Sequence, residues 1–371
     1  MTVQRLQEFG ETIFATMTQL ANENHAINLG QGFPDTDGPS RMLDIAQEQI
    51  STGHNQYSPG MGVLALREAV SESNDVPLSH VLITVGASEA IASTVLGLVE
   101  PGQEVIVVEP YYDSYAAAIA LAGAHRVAVP LAPSGNSWDL DVDAIRAAVT
   151  DKTAMILINT PHNPTGAVFS EHALRELAKL CVERDLLLLS DEVYEHLTFG
   201  DAKHVEVRLL PGMAERTIKV SSAAKTFNVT GWKTGWAIAD PALLDGILKA
   251  KQFISFVGAT PFQAAVAYAL REEKAWVEDM VEDLSECRDI LVEGLKRAGY
   301  HVHDTKGTYY VVADVGEDAV EFSKKLPVDK GVAAIPLTAF TDHDEPWKHK
   351  VRFAFCKKPE IIREAVKRLN S

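Results

Sequence analysis

Apolar runs alternate with amphipathic stretches through the middle of the chain. Val81 to Val85, Glu104 to Val108 and Arg126 to Val129 are rich in β-branched residues and read as strands. Ala154 to Asn159 and Leu186 to Ser190 have no polar alternation. That pattern suits strands buried on both faces, as in a parallel sheet. Thr217 to Ser221 and Gly235 to Ile238 follow as further strands. Between strands, Glu171 to Asp185 places Leu174, Leu177 and Cys181 at helical spacing. A helix is also expected to open near Ala87. Strand–helix alternation of this kind predicts an α/β layered domain.

The pattern changes at Ala275. A long charged amphipathic helix runs to Ala298, with Val277, Met280, Val281, Leu284 and Leu291 on its apolar positions. A strand (Tyr309 to Val312), a helix (Ala319 to Lys325), a strand (Val351 to Phe355) and a helix (Glu360 to Leu369) come after it. Fewer strands mixed with helices predict a smaller α+β domain. No internal repeat is visible.

Length and composition fit this picture: 371 residues, 46% hydrophobic and 23% charged, suit about two globular domains. The formal net charge is −17, which disfavours nucleic acid or an anionic membrane as partner. Any anionic ligand must therefore find a local positive site. Three widely spaced cysteines, Cys181, Cys287 and Cys356, form no C-x-x-C pair. With no apolar signal core after Met1 and no apolar run long enough to span a bilayer, a reduced cytoplasmic setting is expected.

Four segments carry candidate chemistry. In Ser221-Ser222-Ala-Ala-Lys225, a strand ends among small residues, and a lysine there would be partly desolvated. Desolvation lowers an amine's pKa and frees it to form a Schiff base; a snorkelling surface lysine is the alternative. Asp191-Glu-Val-Tyr194 follows a buried strand, where open α/β sheets bind ligands. Asp191 could pair with a pyridinium nitrogen or simply cap a helix. Asn159-Thr-Pro-His-Asn163-Pro164-Thr-Gly166 predicts a rigid loop, with Asn163-Pro164 a candidate cis bond, serving either a ligand or a plain connection. Thr84-Val-Gly86-Ala87-Ser88 predicts strand, glycine and helix start, an anion site or an ordinary serine cap.

Together and in this order, these segments resemble pyridoxal 5′-phosphate (PLP)-dependent aminotransferases of fold type I, class I/II. Asn28-Leu-Gly30-Gln-Gly32-Phe-Pro34, Gln56-Tyr57-Ser-Pro-Gly60 and Val351-Arg352-Phe extend the match over nearly the whole chain. The resemblance implies an α/β PLP-transferase fold, with a mostly parallel seven-stranded sheet sandwiched by helices and a smaller α+β domain. The expected division is 1–40 as N-terminal arm and part of the small domain, 41–279 as the PLP-binding domain, and 280–371 as the small domain.

It also implies roles. Lys225 would bond the cofactor and shuttle the Cα proton. Asp191 would pair with the ring nitrogen, and Tyr194 and Asn163 with the ring hydroxyl oxygen. Tyr112 would stack on the ring. Gly86, Ala87, Ser88, Ser222 and Lys233 would hold the phosphate. Tyr57 would reach that phosphate from a second copy, making a homodimer with shared active sites. Arg352 would grip the substrate α-carboxylate, with Asn163 beside it and Gly30 adding a backbone contact. Substrates would be an amino acid and a 2-oxo acid, with ping-pong kinetics.

Within the family, Met1-Thr-Val-x-Arg5-Leu, Gly123-Ala-His-Arg126, Met213-Ala-Glu-Arg-Thr217 and Val332-Ala-Ala-Ile-Pro336 look most like bacterial N-succinyldiaminopimelate aminotransferases of lysine biosynthesis. Kynurenine, glutamine or methionine aminotransferases, and carbon–sulfur β-lyases on the same site, are the alternatives. Small residues at Val257-Gly258-Ala259 are expected to widen the pocket for a long acylated substrate. The connection from Val70 to His80 is shorter than in relatives, predicting a truncated helix before Val81. His301-x-His303 is expected to be an alternating pair rather than a metal site, and Asp342-His-Asp-Glu345 a solvated acidic loop.

Overall fold

A computed structural model describes residues 2–10 and 13–371. Met1, the start of the N-terminal pattern, lies outside the described residues. Seven strands form one sheet in the order Val81–Val85, Thr234–Ile238, Thr217–Ser222, Leu187–Asp191, Thr153–Asn159, Glu104–Glu109, His125–Pro130. Only Thr234–Ile238 runs antiparallel to its neighbours. All seven expected strands are present, within a residue or two at their ends.

Side-chain alternation explains why these runs are apolar throughout. Ile106, Val108, Ile156, Ile158 and Leu188 pack on one face against Leu174, Leu177 and Cys181 of the helix Glu171–Glu183. Val105, Val107, Met155, Leu157, Leu189 and Ile218 pack on the other, against Ile91 and Val95 of the helix Gly86–Leu98 and Ile119 of the helix Asp113–Leu121. A strand covered on both faces favours apolar residues at most of its positions. Each such side chain contributes about 1.5–3 kcal/mol of burial.

A second sheet has the order His301–Val302, Tyr310–Asp314, Lys350–Ala354, Ile335–Pro336 and is antiparallel. The helices Lys274–Arg297, Ala319–Asp329 and Pro359–Leu369 cover it, contributing Leu284, Leu291, Phe322, Leu326 and Ile362 to its core. Ile27–Asn28 pairs in parallel with Val332–Ala333. The N-terminal arm is thus stitched to the C-terminal part. No helix among the described residues is long and apolar enough to cross a membrane.

The short connection before Val81 takes a definite form. The helix Leu64–Asn74 stops at Asp75, whose φ of 49° is left-handed, and a single 3-10 turn, Leu78–His80, leads into the strand.

Candidate active site

The register of the large sheet brings the predicted segments together. Asp191 and Asn159 are directly paired at neighbouring strand ends, and Ser222 ends the next strand but one from Thr153–Asn159. A cavity of about 550 Å³ opens at these ends, lined by Gly86, Ala87, Ser88, Tyr112, Asn163, Asp191, Tyr194, Ser222, Lys225, Lys233 and Arg352, among others. These are eleven of the thirteen predicted site residues. Gly30 and Tyr57 are not in this lining.

Lys225 sits in the one-turn helix Ala223–Thr226 that follows the strand Thr217–Ser222. Its Nζ donates to the Gly32 carbonyl at 3.3 Å and lies 5.5 and 5.8 Å from the ring centroids of Tyr309 and Tyr194. Burial lowers its pKa to about 8, against the raising influence of Cys356 and Asp191. The desolvated amine expected from sequence is therefore present, and the snorkelling alternative fails.

Asp191 is buried. Its Oδ2 accepts from the Tyr115 hydroxyl at 2.5 Å, and its Oδ1 from the Val193 N–H at 3.3 Å. Burial pushes its pKa up to about 6, opposed by Tyr115, the Val193 N–H and Lys225. The Asn159 side chain braces the turn, donating to the Asp191 carbonyl at 2.8 Å and accepting from the Asn163 N–H at 2.7 Å. Asn163-Pro164 is cis, as are Thr160-Pro161 and Glu109-Pro110.

The two residues after Asp191 and Tyr194 anchor elsewhere. Glu195 Oε2 meets the buried Lys219 Nζ at 2.6 Å, and Glu192 pairs with His204 at 2.7 Å. Glu192, Glu195 and His204 are spaced like metal ligands, but the Lys219 ammonium already sits among the carboxylates of Glu192, Glu195 and Glu206, at 3.6, 2.6 and 3.3 Å. The network ties the loop to the neighbouring strand.

At the anion end, Gly86 starts the helix Gly86–Leu98 with φ of +68°. Its first-turn N–H groups and dipole favour negative charge. Lys233 Nζ donates to Ser88 Oγ at 3.3 Å. A side chain on Gly235 would meet the Gly86 carbonyl carbon at 2.6 Å and the Ala87 nitrogen at 2.8 Å. Glycine is needed there for the strand to approach the helix start.

Arg352 is almost wholly buried at 2% exposure yet reaches the cavity. Nη1 donates to Asn163 Oδ1 at 2.9 Å and Nη2 to the Gly30 carbonyl at 2.7 Å. Its guanidinium carbon lies 4.1 Å from the Tyr310 ring centroid and 4.8 Å from that of Phe340. Nε has no partner.

Geometry thus places a desolvated amine, a buried acid, a helix N-terminus beside a lysine, and a guanidinium around one cavity. The model of the aminotransferase class I and II family matches residues 24–369. The chain belongs to the class I and II aminotransferases. It is 50% identical to a probable N-succinyldiaminopimelate aminotransferase of Mycobacterium tuberculosis, covering 100% of this chain and 98% of that protein. The solved N-succinyldiaminopimelate aminotransferase of that organism superposes with a TM-score of 0.98 at 51% identity, over 100% and 99% of the two chains. A methionine aminotransferase of Escherichia coli is 36% identical over 98% of this chain and 97% of its own length.

In this aminotransferase the structure bears on several further expectations, correcting some of them. Gly30 offers its carbonyl to Arg352, and its N–H is taken by Asn28 Oδ1 at 2.9 Å. It backs the arginine and does not face the cavity. Tyr57 is 81% exposed, packed edge-on to Phe256. Gly258 lies near Thr84 and Val85, and Val257, Gly258 and Ala259 are absent from the cavity lining. They do not widen it within one chain. The Asp342–Glu345 loop is exposed, as expected, but it is tethered at one end. Asp342 accepts from Arg126 and Tyr111, and His343 binds Glu109. His303 packs on Trp138, 4.3 Å between centroids, and burial lowers its pKa to about 4.

Sequence reasoning passed over Tyr115, Asn159, Tyr310 and Phe340. Tyr115 was visible as the one hydroxyl-bearing aromatic in an Ala-rich helix, three residues beyond Tyr112. Asn159 stood in the motif as quoted, unassigned. Tyr310 and Phe340 carried no local signal.

Proposed function

We propose that this cavity binds pyridoxal 5′-phosphate and transfers amino groups between an amino acid and a 2-oxo acid, with N-succinyl-LL-diaminopimelate as the amino donor and 2-oxoglutarate as the acceptor. The observation that carries the reading is the convergence of Lys225, Asp191 and Arg352 on one cavity. The donor set fits the cofactor. Lys225 supplies an amine close to neutrality, Asp191 a buried carboxylate for a cationic ring nitrogen, and Gly86–Ser88 with Lys233 a phosphate cradle.

Bound pyridoxal phosphate would supply an electron sink for the substrate Cα–H bond. Lys225 Nζ is both the nucleophile for its aldehyde and, once free, the group that takes and returns the Cα proton. Asp191, fixed by Tyr115, would favour the protonated ring nitrogen. Asn163 has its oxygen turned to Arg352, which leaves its NH2 to donate to the ring hydroxyl oxygen. Tyr194 would donate to the same oxygen, and Tyr112 would cover the ring face. Arg352 would bind the α-carboxylate through its fork, held in plane by Asn163, Gly30 and Tyr310. Exposure of Tyr57 supports a role in a second copy's phosphate site, hence a homodimer. Three buried free cysteines suit a reducing, cytoplasmic setting.

The substrate reading draws on the close relative named above. The cavity volume suits a ligand of that size. An amino-donor screen tests it: kcat/KM is expected to be highest for N-succinyl-LL-diaminopimelate with 2-oxoglutarate. Higher values for methionine or kynurenine would replace that donor, and pyruvate release from cystathionine would point to the carbon–sulfur lyase.

A further inference from the structure

We propose that the segment Phe340–His343 is a strap whose docking onto the end of the strand Glu104–Glu109 positions Arg352 for the substrate carboxylate, with Asp342 and His343 as positioning residues. The proposal rests on the reading of Arg352 given above. Glu109 is fully buried, and both of its oxygens are held by His343. The backbone N–H donates to Oε1 at 2.6 Å, and the ring Nδ1 lies 2.7 Å from Oε2. A buried carboxylate without partners is costly, so the undocked strap is disfavoured. Asp342 adds a fork. Oδ2 accepts from Arg126 Nε at 2.8 Å, and Oδ1 accepts from Arg126 Nη2 at 2.9 Å and the Tyr111 hydroxyl at 2.8 Å. The Tyr111 N–H donates to the Phe340 carbonyl at 2.8 Å.

This set of bonds has one end in each wall of the cavity. Tyr111 precedes Tyr112, which lines the cavity. Phe340 lies against the Arg352 guanidinium and meets Phe14 edge-on at 5.4 Å. Among the described residues the guanidinium has two hydrogen-bond partners, and aromatic faces pack around it. Releasing the strap therefore frees one face of the guanidinium while leaving Lys225, Asp191 and the anion cradle untouched. The expected signature is weaker carboxylate binding with the chemical step preserved.

The experiment uses the holoenzyme. KM for glutamate and 2-oxoglutarate, kcat, and the calorimetric Kd of the unreactive dicarboxylate glutarate are compared in wild type, Asp342→Ala, His343→Ala, His343→Gln and Arg352→Lys. For the two alanine variants, KM and the glutarate Kd should rise about tenfold, with kcat within about twofold and the cofactor absorbance unchanged. His343→Gln should recover most of the loss, because its amide can donate to Glu109. Asp342→Asn, which weakens the Arg126 fork without removing it, should show a smaller rise in the same sense. It keeps the test alive should the alanine variants not fold. Unchanged Kd in the strap variants beside a raised Kd in Arg352→Lys would overturn the strap alone. Unchanged Kd in Arg352→Lys would overturn the carboxylate reading and the strap with it. A fall in kcat at constant KM would also overturn the strap.

Discussion

Lys225 and Asp191 are chemically useful because burial moves their pKa values toward each other. Burial disfavours both charges, so the lysine gives up its proton more readily than usual and the aspartate holds its own longer. Tyr115 counteracts the second shift with a short donated hydrogen bond. The sign for Lys225 follows directly. With a pKa lowered to about 8, its reactive neutral fraction grows as pH rises and levels off above that value. Capture of pyridoxal phosphate by cofactor-free protein, followed by absorbance, should therefore accelerate through about pH 8 and then plateau. An ordinary lysine would keep accelerating to beyond about pH 10. Lys225, Asp191 and Asn163 were legible as candidates because each follows a recognisable strand signal, whereas Arg352, in the middle of its strand, was named only through the family resemblance. Tyr310 and Phe340 were not, since their roles arise from contacts across about forty and a dozen residues of chain that no local pattern records. Gly30 was legible as a site residue, but the direction of its carbonyl was not.

At the scale of elements, the proposed anion cradle depends on how closely the strand Thr234–Ile238 approaches the start of the helix Gly86–Leu98. Gly235 sets that approach. Gly235→Ala would drive a methyl into the backbone of Gly86 and Ala87, and a rigid backbone cannot yield cheaply. Overpacking of this kind costs about 1–3 kcal/mol. The variant should melt at lower temperature and bind pyridoxal phosphate at least about tenfold more weakly, as read by thermal unfolding and cofactor titration. A loss of stability with cofactor affinity intact would place the cradle elsewhere. The strands themselves were legible because both faces of the sheet are buried, which leaves few polar positions in each run. The strap was not legible. Asp342-His-Asp-Glu345 is as polar as a solvated loop, and only the position of Glu109, Arg126 and Tyr111 in space shows what its charges meet.

For the whole molecule, the charge of −17 and the proposed anionic ligands are compatible because the field is local. Lys225, Lys233 and Arg352 line the cavity against two acids, Asp113 and Asp191, and a helix N-terminus adds to the positive side. The sheet topology makes this possible. Parallel strands deliver segments from four distant parts of the chain to the same edge, where the active site is assembled. The central claim is that Lys225 holds the cofactor at rest and releases it when an amino group is transferred. Borohydride reduction of the holoenzyme, followed by peptide mass mapping, tests this most directly. The account predicts a stable pyridoxyl adduct on Lys225, and its loss when the enzyme is first treated with amino donor in the absence of any 2-oxo acid. An adduct on Lys233 or another lysine, or an adduct on Lys225 that amino donor leaves unchanged, would contradict it.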